Sequence, residues 1–198
     1  MDESPVTIPL SFYTATGAPW KIELAGRGTA EKFDLVLQPK QTVTLTTAAT
    51  STLVQGWGRL DIPCCPDVAG FAVFRQRVQG RPDFEAVTPL ADSYSSRSFL
   101  AFDNTGGFST GIALVNPSSY SSSVVTVNVR NENGDRVLLE QVTLPRLSKD
   151  VFSLPERFPV TDGKKGTIEF TSSPGQFSVL GLRFNPGGAF TSIHSWEP

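Results

Sequence analysis

Cysteine is nearly missing from this chain: two residues of 198, side by side at Cys64 and Cys65. Histidine occurs once, at His194 in "SIHSW". A structural metal site needs several ligands at set spacings, such as C-x2-C with partners elsewhere, and neither the cysteine pair nor the lone histidine supplies them. A nucleophile needs a base that is oriented by a third group, so a single histidine close to the end makes a Ser-His-Asp triad improbable. No catalytic residue, cofactor or metal is therefore expected, and the chain reads as no enzyme. Charge is scarce too, at 18% of residues, with 17 basic against 19 acidic and no run of like sign. That excludes a nucleic-acid track and a polybasic membrane patch. Apolar runs such as Phe71 to Phe74 are far too short to cross a bilayer. The opening "MDESPVTIPL" carries no basic segment followed by a long apolar one, and a start at Met-Asp-Glu leaves localisation open.

What the chain has instead is serine, threonine, glycine and proline, with Phe outnumbering Trp and Tyr together by 14 to 6. This is a strand-and-turn composition. Apolar residues alternate, as Val125, Val127 and Val129 do against Thr126, Asn128 and Arg130. Turn signals recur about every ten residues: "TATGAP", "LQPKQ", "IPCCPD", "VQGRPD", "DNTGG", "NPSS", "NENGD", "SSPGQ", "NPGG". Short strands so punctuated indicate an all-β sandwich. Only "LPERFPV" around Phe158 has room for a helical turn.

Internal repetition covers most of the chain. "FYTATGAPWKIEL" aligns with "VRNENGDRVLLEQ", placing Gly17 on Gly134. "LVLQPKQTVTL" aligns with "QVTLPRLSKDVFSL", with Pro39 over Pro145, and the first copy holds about eleven extra residues near "ELAGRGTAEKF", read as a longer hairpin. "GRLDIPCCPDVAGFAVFRQ" overlays "GTIEFTSSPGQFSVLGLRFN", with Gly58 on Gly166, and "DFEAVTPL" matches "AFTSIHSW". Cys64 and Cys65 fall where the second copy has Ser172 and Ser173, at a hairpin tip. Three readings of the pair stand: plain turn residues with free thiols, a strained adjacent-residue or intermolecular disulfide, or a metal or redox role. Adjacent Cα atoms lie 3.8 Å apart, closer than a disulfide favours.

Two strands, Phe99 to Phe102 and Ser109 to Val115, precede the match in the second copy, whereas only "MDESPVTIPL" precedes it in the first. The expected architecture is therefore two tandem antiparallel β-sandwiches, residues 1–92 and 97–198, joined by "DSYSSRS", the first lacking one or two N-terminal strands. A sandwich short of strands leaves backbone unpaired. The expectation is a homo-oligomer, a strand exchange or an interdomain contact at that open edge.

The stretches "FDNTGGFSTGIALVNP", "TVNVRNENGD", "KKGTIEFTSS" and "VLGLRFNPGGAFTSI" resemble a duplicated β-sandwich module found at the C-terminal end of secreted or surface proteins of soil bacteria. "LSFYTATGAPWKIELAGRG", "LQPKQTVTLTT" and "LVQGWGRLDI" resemble that family's first copy, joined midway. The resemblance implies an immunoglobulin-like or fibronectin-like sandwich placed outside the cell or at its surface. It brings no established activity and no catalytic residue. The "CC" pair and the missing N-terminal strands depart from it.

Among smaller signals, Asp61 and Glu169 occupy equivalent positions in separate copies and report strand alternation rather than a carboxylate pair. "FDNTGG" and "NENGD" suit hairpin turns better than calcium. Carbohydrate-binding sandwiches stack sugars on exposed Trp and Tyr. Trp57, Tyr120 and Trp196 are the ligand-platform candidates, with Trp20, aligned on Val137, assigned to the core. The functional expectation is a non-catalytic extracellular module for surface presentation, adhesion or assembly, partnered by protein or polysaccharide at the cell surface. A carbohydrate-binding module is the alternative.

Overall fold

A computed structural model describes residues 4–48, 54–62, 67–77, 79–80, 83–91 and 95–197. The chain is all-β. It divides into two compact units, Met1–Ala69 with Leu147–Lys149, and Gly70–Arg146 with Asp150–Pro198.

The first unit contains β1 (Val6–Thr14), β2 (Ile22–Leu24), β3 (Gly28–Ala30), β4 (Lys32–Leu37) and β5 (Gly56–Leu60). Its main sheet has the order β4-β1-β5, antiparallel at both junctions. Alternation along β1 and β4 sends Ile8, Leu10, Phe33 and Leu35 inward to meet Leu24 of the β2-β3 hairpin. That hairpin is the extra segment expected in the first half, and the chain at Thr46–Ala48 runs beside it, Ala25 N–H donating to Thr46 O and Ala48 N–H to Glu23 O.

The second unit contains β6 (Phe71–Gln76), β7 (Phe84–Pro89), β8 (Arg97–Asp103), β9 (Ser109–Val115), β10 (Ser123–Asn131) and β11 (Arg136–Leu144). β12 (Lys149–Ser153), whose first residue belongs to the first unit, leads into a one-turn helix, α1 (Leu154–Arg157), and a 3₁₀ turn at Pro159–Thr161, where the sequence left room for one. β13 (Lys165–Ser172), β14 (Ser178–Phe184) and β15 (Phe190–Ile193) complete it. Two four-stranded sheets, β11-β10-β13-β8 and β12-β9-β14-β15, share one core. Val125, Val127 and Val129 are fully buried, and Phe170 meets Phe177 edge-on, ring centres 6.3 Å apart. Buried Asn116 staples the loops, its Nδ2 donating to the carbonyls of Ser121, Leu144 and Pro145.

The β6-β7 hairpin falls in the second unit, although the sequence suggested a first domain running to residue 92. The reason is packing: β7 lies against β15, and Ala86 is buried there.

Hydrogen-bond registers relate the two units closely. β1 pairs Val6 with Leu37 and Phe12 with Gly58, while β10 pairs Ser123 with Leu144 and Val129 with Ile168. Thr14 N–H donates to Ala18 O and Gly17 N–H to Thr14 O; Asn131 N–H donates to Asp135 O and Gly134 N–H to Asn131 O. Gly17 and Gly134 both have left-handed φ, 85° and 87°. Their alignment holds, but two others shift. Leu37 corresponds to Leu144, so Pro39 stands one residue away from Pro145, and Lys40 and Leu147 are the matched left-handed residues. Gly56, not Gly58, corresponds to Gly166, since Thr14 faces Gly56 as Asn131 faces Gly166.

Both glycines answer to the same steric demand. A Cβ on Gly56 meets the Tyr13 carbonyl oxygen at 2.5 Å, and one on Gly166 lands on the Arg130 carbonyl oxygen. Neither backbone atom can step aside without breaking a ladder. Gly166→Ala is expected to destabilise the protein by about 2–3 kcal/mol, the upper range for overpacking, while Thr167→Ala on the outer face stays within about 0.5 kcal/mol. Urea unfolding of both variants checks this.

Candidate functional site

Cys64 and Cys65 lie outside the described residues. His194 is exposed, and among the described residues no group of three His, Cys, Asp or Glu is placed to hold a metal ion. Asp61 and Glu169 belong to different units and bind different partners, Arg59 at 2.8 Å and Arg97 at 2.8 Å. They are not at equivalent positions, because the register that sets Gly56 on Gly166 puts Arg59 on Glu169.

The turn motifs close on themselves. Asn131 Oδ1 accepts from the N–H groups of Asn133 and Asp135, satisfying the hairpin tip. Asp103 Oδ1 accepts from Thr105 N–H and, at 2.6 Å, from Thr105 Oγ1–H, while its Oδ2 lies 3.5 Å from Lys165 Nζ and 3.4 Å from Arg183 Nη2. Arg183 in turn stacks on Phe108, beside a cleft of about 200 Å³ that Phe190 and Asn185 also line.

The aromatic candidates separate by what holds them. Trp57 is half-buried in the first unit, stacked on Tyr13 with ring centres 4.9 Å apart. Its indole N–H donates to Leu147 O, so its polar edge is already used. Trp20 is half-buried with its ring against Gly56. Tyr120 is 94% exposed on the 116–122 loop. An open cleft of about 410 Å³ lies between that loop and Gly175–Gln176, but the Ser118 hydroxyl facing it already serves the N–H groups of Tyr120 and Ser121.

Trp196 differs. It is 59% exposed, yet its backbone is pinned to β8 by a reciprocal pair of 2.9 Å bonds with Phe99. Its ring meets Phe99 at 5.6 Å, and Arg97 lies over the other part of that aromatic pair, 4.7 Å from the Phe99 ring centre. Arg97 Nε–H donates to Glu169 Oε1, and Asn128 Nδ2 donates to Glu169 Oε2 at 3.0 Å. Asn128 Oδ1 is screened from solvent and has no donor. Register explains the row: Phe99 faces Glu169, which faces Asn128. The sequence marked Trp196 alone. Its companions escaped notice because they lie 72 and 41 residues apart along the chain, although each is an outward member of an alternating strand.

Comparison with protein-family models, with curated proteins and with solved structures finds no match. The geometry therefore stands by itself.

Hydrogen bonds from the Thr105 hydroxyl and then its backbone N–H hold the Asp103 carboxyl below its ordinary value of 3.8, with Lys165 and Arg183 adding to them against desolvation. A lowered folded-state pKa means that the unfolded chain binds the proton more readily, so stability rises with pH through this window. Asp103→Asn is expected to lower the urea midpoint at neutral pH. The gap to wild type should close as pH falls from 3.8 through the lower folded-state value, and a gap independent of pH would contradict the assignment.

Proposed function

We propose that this protein is a non-catalytic interaction module, working outside the cell or at its surface, and that it assembles by accepting a strand from a second copy at the β5 edge. The two halves descend from one duplicated sandwich unit, as the shared registers and the paired glycines support. One observation carries the proposal. The second unit's sheet reads β11-β10-β13-β8, whereas among the described residues the first unit's reads β4-β1-β5.

Among the described residues no strand of the first unit takes the place that β8 has beside β13. Asp61 N–H donates to Pro9 O, which sets the ladder so that Gly56, Gly58 and Leu60 turn their backbone groups away from β1. At the matching places in the second unit, Ile168 faces Leu100 and Phe170 faces Ser98 on β8. In the first unit Lys149 Nζ donates to Gly56 O at 2.7 Å, blunting one end of the edge. Beyond Phe12 and Leu10 on β1, Gly58 and Leu60 face no second strand among the described residues. An edge of this kind is a template for strand addition, in which main-chain bonds supply the affinity. Exposed Phe71 and Val73 on β6, with Val87 opposite Val73, add apolar surface suited to protein contact rather than to catalysis. The extracellular setting follows from the motif resemblance read in the sequence and from nothing else.

Sedimentation equilibrium over a wide concentration range tests this reading, with a reversible dimer expected. Gly58→Pro deletes an outward N–H at a position where an edge tolerates proline, and it is expected to weaken the dimer about tenfold or more. A wild type that stays monomeric at every concentration overturns it.

A further inference from the structure

We infer that the outer face of the β11-β10-β13-β8 sheet is a binding site for a neutral polysaccharide, with Trp196 as the stacking platform and Arg97, Glu169 and Asn128 as the hydroxyl-binding row. This site lies in the second unit and is independent of the assembly proposed at the β5 edge.

The first support is the platform. Indole binds sugar by covering the C–H face of a pyranose ring, which requires an aromatic face that is open yet fixed. Trp196 meets both conditions: more than half of it is exposed, its backbone is bonded on both sides to Phe99, and its ring rests on Phe99. Tyr120 is more open but has no ring contact among the described residues, and Trp57 is fixed but half-buried with its N–H engaged.

The second support is the polar row. Both Glu169 oxygens are held, one by Arg97 and one by Asn128, so the carboxylate stands in a single orientation with its remaining lone pairs unclaimed by those bonds. Asn128 serves the row from behind: its Nδ2 fixes Glu169 Oε2 at 3.0 Å, while its own Oδ1 is screened from solvent. Adjacent strands lie about 4.8 Å apart, so the row from Phe99 to Asn128 reaches roughly 10 Å, enough for successive rings of an extended glycan.

The third support is charge. Arg97 is neutralised by Glu169 at 2.8 Å. A nucleic acid or an anionic chain calls for unpaired cations, whereas a polyol is recognised by planar groups that donate and accept at once. Threonines at 126, 167 and 171 furnish the neighbouring outward positions with hydroxyls. Neutral, hydroxyl-rich and flat is the chemistry of a glucan, mannan or xylan chain.

Affinity electrophoresis through gels containing amylopectin, hydroxyethylcellulose, galactomannan or arabinoxylan tests the inference on the full chain. Retardation is expected in at least one gel. Trp196→Ala is expected to weaken binding about tenfold or more through loss of the stacking contact, and Glu169→Gln to weaken it several-fold. Tyr120→Ala should bind as wild type does. Glu169→Gln preserves shape, so it keeps the test decisive should Trp196→Ala disturb folding. No retardation in any of the four gels overturns the inference, as does binding that Trp196→Ala and Glu169→Gln leave unchanged.

Discussion

A β-strand can bury its side chains on one face, but its backbone has donors and acceptors along both edges, and each buried one must find a partner. This requirement organises the protein. β10 and β13 sit between neighbours and have both edges paired, and Val125, Val127, Val129, Ile168 and Phe170 on them are fully buried. β1 has the same standing in its own sheet and buries Ile8 and Leu10. β5 does not: its counterpart β13 is flanked by β8, while β5 ends its sheet. The core of the first unit is correspondingly small, with Leu24 of a short hairpin lying over β1 and β4.

The same requirement explains where glycine is obligatory. Where β1 or β10 ends in its tight turn, the neighbouring strand passes so close that a side chain would overlap a carbonyl oxygen, and Gly56 and Gly166 fill those places. Turn glycines 17 and 134 answer a different need, the left-handed φ that closes each four-residue tip. Proline marks neither place. Pro39 and Pro145 flank turns whose left-handed residues are Lys40 and Leu147, and they fall out of step by one.

Much of this was legible in the sequence because alternation is a local property. Val125, Val127 and Val129 against Thr126, Asn128 and Arg130 announced both the strand and its buried face, and the glycine turns announced where strands reverse. The helical turn at Leu154 was also readable. Register was not. Two glycines two residues apart, Gly56 and Gly58, are equally good matches to Gly166 by spacing, and only the hydrogen-bond ladder chooses between them. The assignment of β6 and β7 was hidden for a similar reason, since contact with β15 is made across about a hundred residues of chain and leaves no local trace. The aromatics followed the same rule. Type and position could nominate Trp57, Tyr120 and Trp196 alike, but only tertiary partners distinguish a ring packed on Tyr13 from one laid open over Phe99.

The two faces of the second unit's main sheet obey opposite economies of charge and water. Inside, Asn104 has its bonds made, accepting from Thr110 N–H and donating to Thr161 O, whereas the buried Ser98 and Thr110 hydroxyls have no partner among the described residues. Outside, Arg97, Glu169 and Asn128 form a chain that holds each side chain still while leaving bonding capacity over. Arg97 is about half exposed, so water screens its end of the ion pair. Its effect here is geometric: Glu169 is largely shielded, at 13% side-chain exposure, and clamped from two sides beside a fixed indole. The row is cross-strand and clamped because the register sets Phe99, Glu169 and Asn128 side by side on three neighbouring strands.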